Sequence, residues 1–259
     1  MMLKAVLFDL DDTLLDWSGF NADWAAMEAR HLALVADYIR RLGHDFPDLN
    51  TFASEFRSRT QAAWVSARSS LRAPHLGEVL VQSAIALGVP EGALDPRACL
   101  EAYRWDAVDG TTIFPETPEV LEQLTAAGIH IGIVTNAYQP MWLRDVEIGT
   151  HGLLEYFPSC RISAADIGYL KPHPAIFQAA LDCVGTRPEE TVFVGDDPEA
   201  DIAGAQAAGL QAVLRISRRS RGVINSDAVR PDATVHDLRE LLVVLDEWYP
   251  GWRFRSGAA

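Results

Sequence analysis

Lysine is almost missing from this 259-residue chain. Of its 22 basic residues only Lys4 and Lys171 are lysines, and the others are arginines. Genomic composition is the simplest source of that bias. It leaves any chemistry that needs a lysine amine two places to occur. Cysteine is scarce as well. Cys99, Cys160 and Cys183 are odd in number and far apart, which excludes a disulfide framework and a zinc knuckle. Three buried thiols fit a reducing compartment, so a cytoplasmic location is expected. Positive charge is in short supply: 36 acidic residues give a net charge of -14. Such a chain is a poor partner for nucleic acid or for an anionic membrane surface. No apolar run is long enough to span a bilayer. The first residues lack the charged, apolar and small-residue parts of a secretory signal, so none is expected. Internal repeats and low-complexity segments are also missing.

What is present is apolar residues, 49% of the chain. That is enough for a sizeable core, as one large domain or a domain with an insertion. From Gly110 onward, strand and helix patterns alternate. "TPEVLEQLTAAG" has helical spacing and stops at Gly128, "IHIGIV" is a strand, and "CRISA" is a short strand. "PHPAIFQAALDCVG" is a helix with Pro174 in its first turn. "ETVFVG", "LQAVLRI" and "ATV" are further strands, with "PEADIAGAQAAG" and "HDLRELLVVLDEW" as helices. Nearly continuous apolar strands between helices predict a parallel sheet covered on both faces. Residues 16–108 break the rhythm and read as helices only. The predicted division is therefore 1–15 with 109–259 as an α/β core, and 16–108 as an all-helical insertion.

The first strand, in "KAVLFDLDDTLLDW", ends abruptly in Asp9, Asp11 and Asp12. Alternate residues of a strand project the same way, so Asp9 and Asp11 point together from its C-terminal end. That end of a parallel sheet is where open α/β folds bind ligands. Paired carboxylates are costly unless a cation lies between them or one keeps a proton. A magnesium site for phosphoryl chemistry meets both conditions. Three later strand ends are expected to supply what it needs. Thr135, followed by Asn136, offers a hydroxyl and a backbone N–H, Lys171 a compact charge, and Asp196 and Asp197 hard oxygen ligands, with Asp201 one turn on.

The order "DLDDT", "VTN", "LKP", "VGDDPEAD" resembles the four motifs of the haloacid dehalogenase superfamily. It is most similar to the phosphatase branch with a helical cap inserted after the first motif. The resemblance spans about Leu3 to Trp248 and implies a Rossmann-like core. It implies a Mg²⁺-dependent hydrolase of a small phosphomonoester working through an aspartyl-phosphate. Asp9 resembles the nucleophile, and Asp11 the general acid and later the base. Asp9, the Asp11 backbone carbonyl and Asp196 would hold Mg²⁺. Thr135 and Lys171 would stabilise the transferring group, with Asn136 beside them at the substrate. The carboxylate supporting the metal shell could be Asp197 or Asp201. Dehalogenation needs neither a proton donor nor Mg²⁺, so Asp11 and Asp196 count against it. The Schiff-base phosphonatases resemble one another in a cap lysine, and residues 16–108 contain none. A phosphomutase shares the four motifs and stays open as an alternative, as does a non-catalytic binding protein on this fold.

Other residues carry blander expectations. Trp24, Leu32, Val35 and Ile39 form a helical stripe expected in the core of the insertion. Trp17 and Phe20, at its entrance, could line a mouth or simply pack. His173 is expected to be a loop residue, and Asp12 to cap a turn. Arg57, Arg59, Arg68 and Arg72 read as a solvated face. Arg215, Arg218, Arg219 and Arg221 read as a surface loop, Asp232 and Asp237 as a turn and a helix start, and "GWRFRSGAA" as a tail.

Overall fold

The computed structural model describes residues 2–21, 23–217 and 229–254. The chain opens with β1 (Ala5–Phe8) and a two-residue strand β2 (Leu15–Asp16). Helices α1 (Trp24–Arg41), α2 (Leu49–Ser70), α3 (Leu76–Ala86) and α4 (Pro96–Tyr103) follow. The chain then returns through β3 (Thr112–Ile113), α5 (Thr117–Ala126), β4 (His130–Thr135), α6 (Met141–Thr150) and β5 (Arg161–Ser163). Next come α7 (Ala164–Ile167), α8 (Pro174–Val184), β6 (Thr191–Gly195), a π-helical turn (Pro198–Ala203) and α9 (Gly204–Ala207). The series closes with β7 (Gln211–Arg215), β8 (Ala233–Val235) and α10 (Leu238–Trp248).

Six strands form one parallel sheet in the order β5-β4-β1-β6-β7-β8. This is the Rossmann-like α/β arrangement that the strand–helix alternation predicts. Alternation along β1 builds both faces. Val6 and Phe8 join Val120, Leu121 and Leu124 of α5 and Leu241 and Leu245 of α10 on one side. Leu7 joins Ile176, Phe177 and Leu181 of α8 on the other. The register sets Phe8 beside both Ile133 and Val194, so β1, β4 and β6 end together. Asp9, Thr135 and Asp196 therefore leave the sheet side by side.

Helices α1–α4 enclose an apolar cluster of their own, including Leu32, Val35, Ile39, Phe52, Phe56, Leu80 and Tyr103. The two connections to this cluster pair as an antiparallel ribbon, Leu15 opposite Ile113 and Asp16 opposite Thr112. They pass so closely at Gly19 and Gly110 that a Cβ on Gly19 would lie 2.6 Å from the Gly110 carbonyl oxygen. Further contacts join the four helices to the sheet. Leu170 N–H donates to Leu71 O at 2.9 Å, Ala73 N–H to Gly168 O at 3.1 Å, and Leu76 N–H to Tyr138 O at 2.8 Å. The Arg72 guanidinium lies over the Tyr169 ring, 4.5 Å from its centroid, while the residue stays exposed as expected.

Three expectations are overturned. Trp24 is 42% exposed, because it sits at the first position of α1, where the apolar stripe has not yet reached the core. Arg215 is buried at the end of β7, paired with Glu116 at 2.7 Å and stacked 3.7 Å from the Phe114 centroid. Arg218, Arg219 and Arg221 lie outside the described residues. Trp252 is no tail residue either. It is buried in the sheet core and donates its indole N–H to Asp246 at 2.8 Å, while residues 255–259 lie outside the described residues.

Candidate active site

A cavity of about 340 Å³ opens over the C-terminal ends of β1, β4 and β6. Asp9, Asp11, Thr135, Asn136, Lys171, Asp196, Asp197 and Asp201 all line it. Asp9 follows β1 directly and is buried. Its Oδ1 accepts from Lys171 Nζ at 2.6 Å and its Oδ2 from Thr13 Oγ1 at 3.1 Å. Lys171 Nζ also donates to Val134 O at 2.8 Å and pairs with Asp201 Oδ1 at 2.8 Å. Two of the ammonium donors are thus hydrogen-bonded, and Asp201 faces the remaining charge as an ion pair. Burial alone would pull the Lys171 pKa down, but Asp201 and Asp9 outweigh it and hold the amine above its ordinary value.

Asn136 holds the lysine from behind. Its side-chain amide donates to Lys171 O at 3.1 Å and accepts from Lys171 N–H at 2.7 Å. The side-chain amide expected at the substrate is therefore spent on the backbone of the Lys171 loop. Thr135 is buried and lines the cavity.

Asp197 and Asp201 separate clearly. Asp197 caps the π turn, accepting from Glu199 N–H and Ala200 N–H, each at 2.9 Å. The wide turn brings Asp201 back over the end of β6, where its Oδ2 accepts from Asp197 N–H at 3.0 Å and its Oδ1 meets Lys171. Asp12 adopts φ +60° and donates its N–H to Leu15 O at 2.7 Å, closing the turn after β1. His173 caps α8 by accepting from Ala175 N–H.

Three carboxylates, those of Asp9, Asp196 and Asp201, have oxygens within 4.8 Å of one another. Burial, opposed by Lys171 and reinforced by Asp201 and Asp11, pushes the Asp9 pKa up to about 7. Burial together with Asp9, Asp201 and Asp12 pushes Asp196 up to about 8. Asp201 accepts through Oδ2 and is ion-paired to Lys171 through Oδ1, whereas among the described residues no hydrogen bond reaches the Asp196 carboxylate. Two hard-oxygen carboxylates facing one cavity, each held up in pKa by burial and by its acidic neighbours, fit a divalent cation such as Mg²⁺.

Asp11 is held apart from that ring. Its Oδ1 accepts from Trp17 Nε1 at 2.9 Å and from Arg144 Nη2 at 2.8 Å, and its Oδ2 from the same Nη2 at 3.0 Å. Trp17 packs against both apolar cores, so it is a structural contact as well as a neighbour of the site. Phe20 stacks between Trp17 and Trp24, its ring centroid 5.7 and 5.8 Å from theirs. Arg144 was not singled out by the sequence. The available signal was a charged pair, Arg144 and Glu147, on the stripe of α6 otherwise filled by Met141 and Ile148.

The sequence of this chain matches the family model for haloacid dehalogenase-like hydrolases over residues 3–209. The chain belongs to that family. As a haloacid dehalogenase-like hydrolase it is an enzyme, and its curated relatives are phosphatases. It is 33% identical to the ribulose-1,5-bisphosphate 5-phosphatase of Halopiger xanaduensis, over 82% of this chain and 84% of that protein. It is 33% identical to the glyceraldehyde 3-phosphate phosphatase of Methanopyrus kandleri, over 95% of this chain and 98% of that protein. Among solved structures, a 2-haloacid dehalogenase from Pseudomonas syringae pv. Tomato is similar with TM-score 0.61 and 30% identity, covering 95% of this chain and all of that one. No helix of the described residues is long and apolar enough to cross a membrane.

Proposed function

We propose that this hydrolase is a Mg²⁺-dependent phosphatase of small phosphomonoesters that works through an aspartyl-phosphate on Asp9. The observation that carries the reading is the cluster of Asp9, Asp196 and Asp201 gathered around a single buried lysine. Displacement of halide needs no such excess of carboxylate and no proton donor beside the nucleophile. Phosphoryl transfer needs both. The phosphatases among its relatives support the same choice, and the two named above act on different small phosphates. The three free thiols fit a cytoplasmic setting, although only Cys99 and Cys160 are buried and Cys183, expected to be buried with them, is exposed.

A carboxylate oxygen of Asp9 attacks phosphorus while the bond to the ester oxygen breaks. Asp11 gives that oxygen a proton, so the alcohol leaves neutral. Lys171 and Thr135 face the charge on the transferring group. Asp11, now ionised, takes a proton from water, which attacks the same phosphorus. The bond to Asp9 breaks, inorganic phosphate leaves, and both carboxyls return to their starting states. Asp9, Asp196 and the Asp11 backbone carbonyl would hold Mg²⁺, which would neutralise carboxylate repulsion and share the charge of the phosphoryl oxygens. Asp201, not Asp197, supports this shell through Lys171. The division at 15/16 and 108/109 makes the four helices a cap that restricts the leaving group to small molecules.

The test is phosphate release from a panel of sugar phosphates, nucleoside monophosphates, phosphorylated small acids and a phosphopeptide. Activity should vanish in EDTA, return with Mg²⁺, and be absent from Asp9→Asn. Full turnover in EDTA, or by purified Asp9→Asn, sinks the mechanism.

A further inference from the structure

We infer that Arg144 is a positioning residue for Asp11, tying the proton-exchanging carboxylate to both connections of the helical segment; this rests on the phosphatase reading above. The Arg144 side chain is 4% exposed, and its guanidinium spans two carboxylates of opposite character. Nη1 pairs with Glu147 at 3.1 Å, a side chain with no exposure at all. Nη2 is shared by the two oxygens of Asp11, whose side chain is 37% exposed and lines the cavity. Burying a guanidinium is costly unless its partners are fixed. Glu147 is fixed by Trp105, whose indole N–H donates to Oε2 at 3.2 Å.

Trp105 lies in the segment returning from α4 to β3, and Trp17 in the segment leaving β2 for α1. The Asp11 carboxylate is thus clamped by an indole from the outgoing connection. On its other side is an arginine anchored to the returning one. Its Oδ1 carries two of the donors, and its Oδ2 carries one, which leaves Oδ2 the less committed oxygen for an incoming ester. Aspartate on a loop has two free torsions. Proton transfer to a leaving oxygen tolerates little misplacement, so a clamp on those torsions acts directly on the chemical step.

The effect is read from leaving-group dependence. An alkoxide must be protonated as it departs, and 2,4-dinitrophenolate need not be. The double variant Arg144→Met with Glu147→Gln removes both buried charges together, so neither is stranded. Its kcat/KM should fall roughly 100-fold on the best alkyl phosphate of the panel. On 2,4-dinitrophenyl phosphate it should fall less than about threefold. Added to Asp11→Asn it should cost nothing further on the alkyl ester, because the group it positions is already gone. Equal losses on both esters, or a loss that adds to Asp11→Asn, overturn the positioning role while the phosphatase reading stands. A parent enzyme that releases phosphate from neither ester overturns both.

Discussion

At the scale of single residues, the site is organised by Lys171. Its ammonium reaches Asp9, Val134 O and Asp201, three oxygens arranged around a point. A planar guanidinium cannot address that arrangement, and the side chain is buried at 2% exposure, so a larger head would have to displace the groups around it. Lys171→Arg should keep the charge and lose activity on the order of 100-fold or more. Lys171→Met should also strand Asp201 and destabilise the fold by about 3–5 kcal/mol. Steady-state kinetics and denaturant titration separate these outcomes, and a Lys171→Arg enzyme close to the parent would reduce Lys171 to a structural charge. Lys171 was legible from the short stretch "LKPHP", although it sits in the loop between α7 and α8 and not, as expected, at the end of a strand. Arg144 was not legible, since its partner Asp11 is 133 residues away and no short motif joins them. The choice between Asp197 and Asp201 needed the π turn, which spacing alone does not reveal.

Among elements, the join of β6 to that π turn has the least room. Gly195, the last residue of β6, is where Asp201 folds back, and a Cβ there would lie 2.6 Å from the Asp201 Cβ. Neither atom can yield without moving the turn. Gly195→Ala should cost about 1–3 kcal/mol of stability. It should also lower kcat, because the Asp201–Lys171 pair is displaced. An alanine variant with parent-like kcat would show that the Asp201 contact is dispensable. Elements were read from the sequence more reliably than their ends. The apolar period correctly placed Leu32, Val35 and Ile39 inside α1 but carried Trp24 in with them. Periodicity gives a helix face, not where the neighbouring helices stop covering it. Arg215 was misread for a related reason: its burial depends on Glu116 and Phe114 in the segment before α5.

In the molecule as a whole, strand–helix alternation was enough to anticipate a parallel sheet, but not the docking of the helical segment at Leu71, Ala73 and Leu76. Those are backbone contacts, and they leave no trace in residue type. The same scale governs how the acidic site affects stability. Asp9 and Asp196 have folded-state pKa values raised from 3.8 to about 7 and about 8. A raised carboxyl favours the metal-free fold while it keeps its proton. That contribution is fully present below about pH 4 and is lost as pH rises through the folded values. Metal-free protein should therefore lose stability between about pH 4 and 8, beyond what other groups contribute. Mg²⁺ acts in the opposite sense, because it binds the ionised pair and competes with protons. At 100 times its Kd it would contribute about 2.7 kcal/mol, a rise in Tm of roughly 5–10 °C for a chain of this size. The rise should be small at pH 5 and largest near pH 8.5, and Asp196→Asn should abolish most of it. Thermal melts with and without Mg²⁺ at the two pH values measure this without reference to turnover. An equal rise at both, or one that survives Asp196→Asn, would place the cation somewhere other than between Asp9 and Asp196.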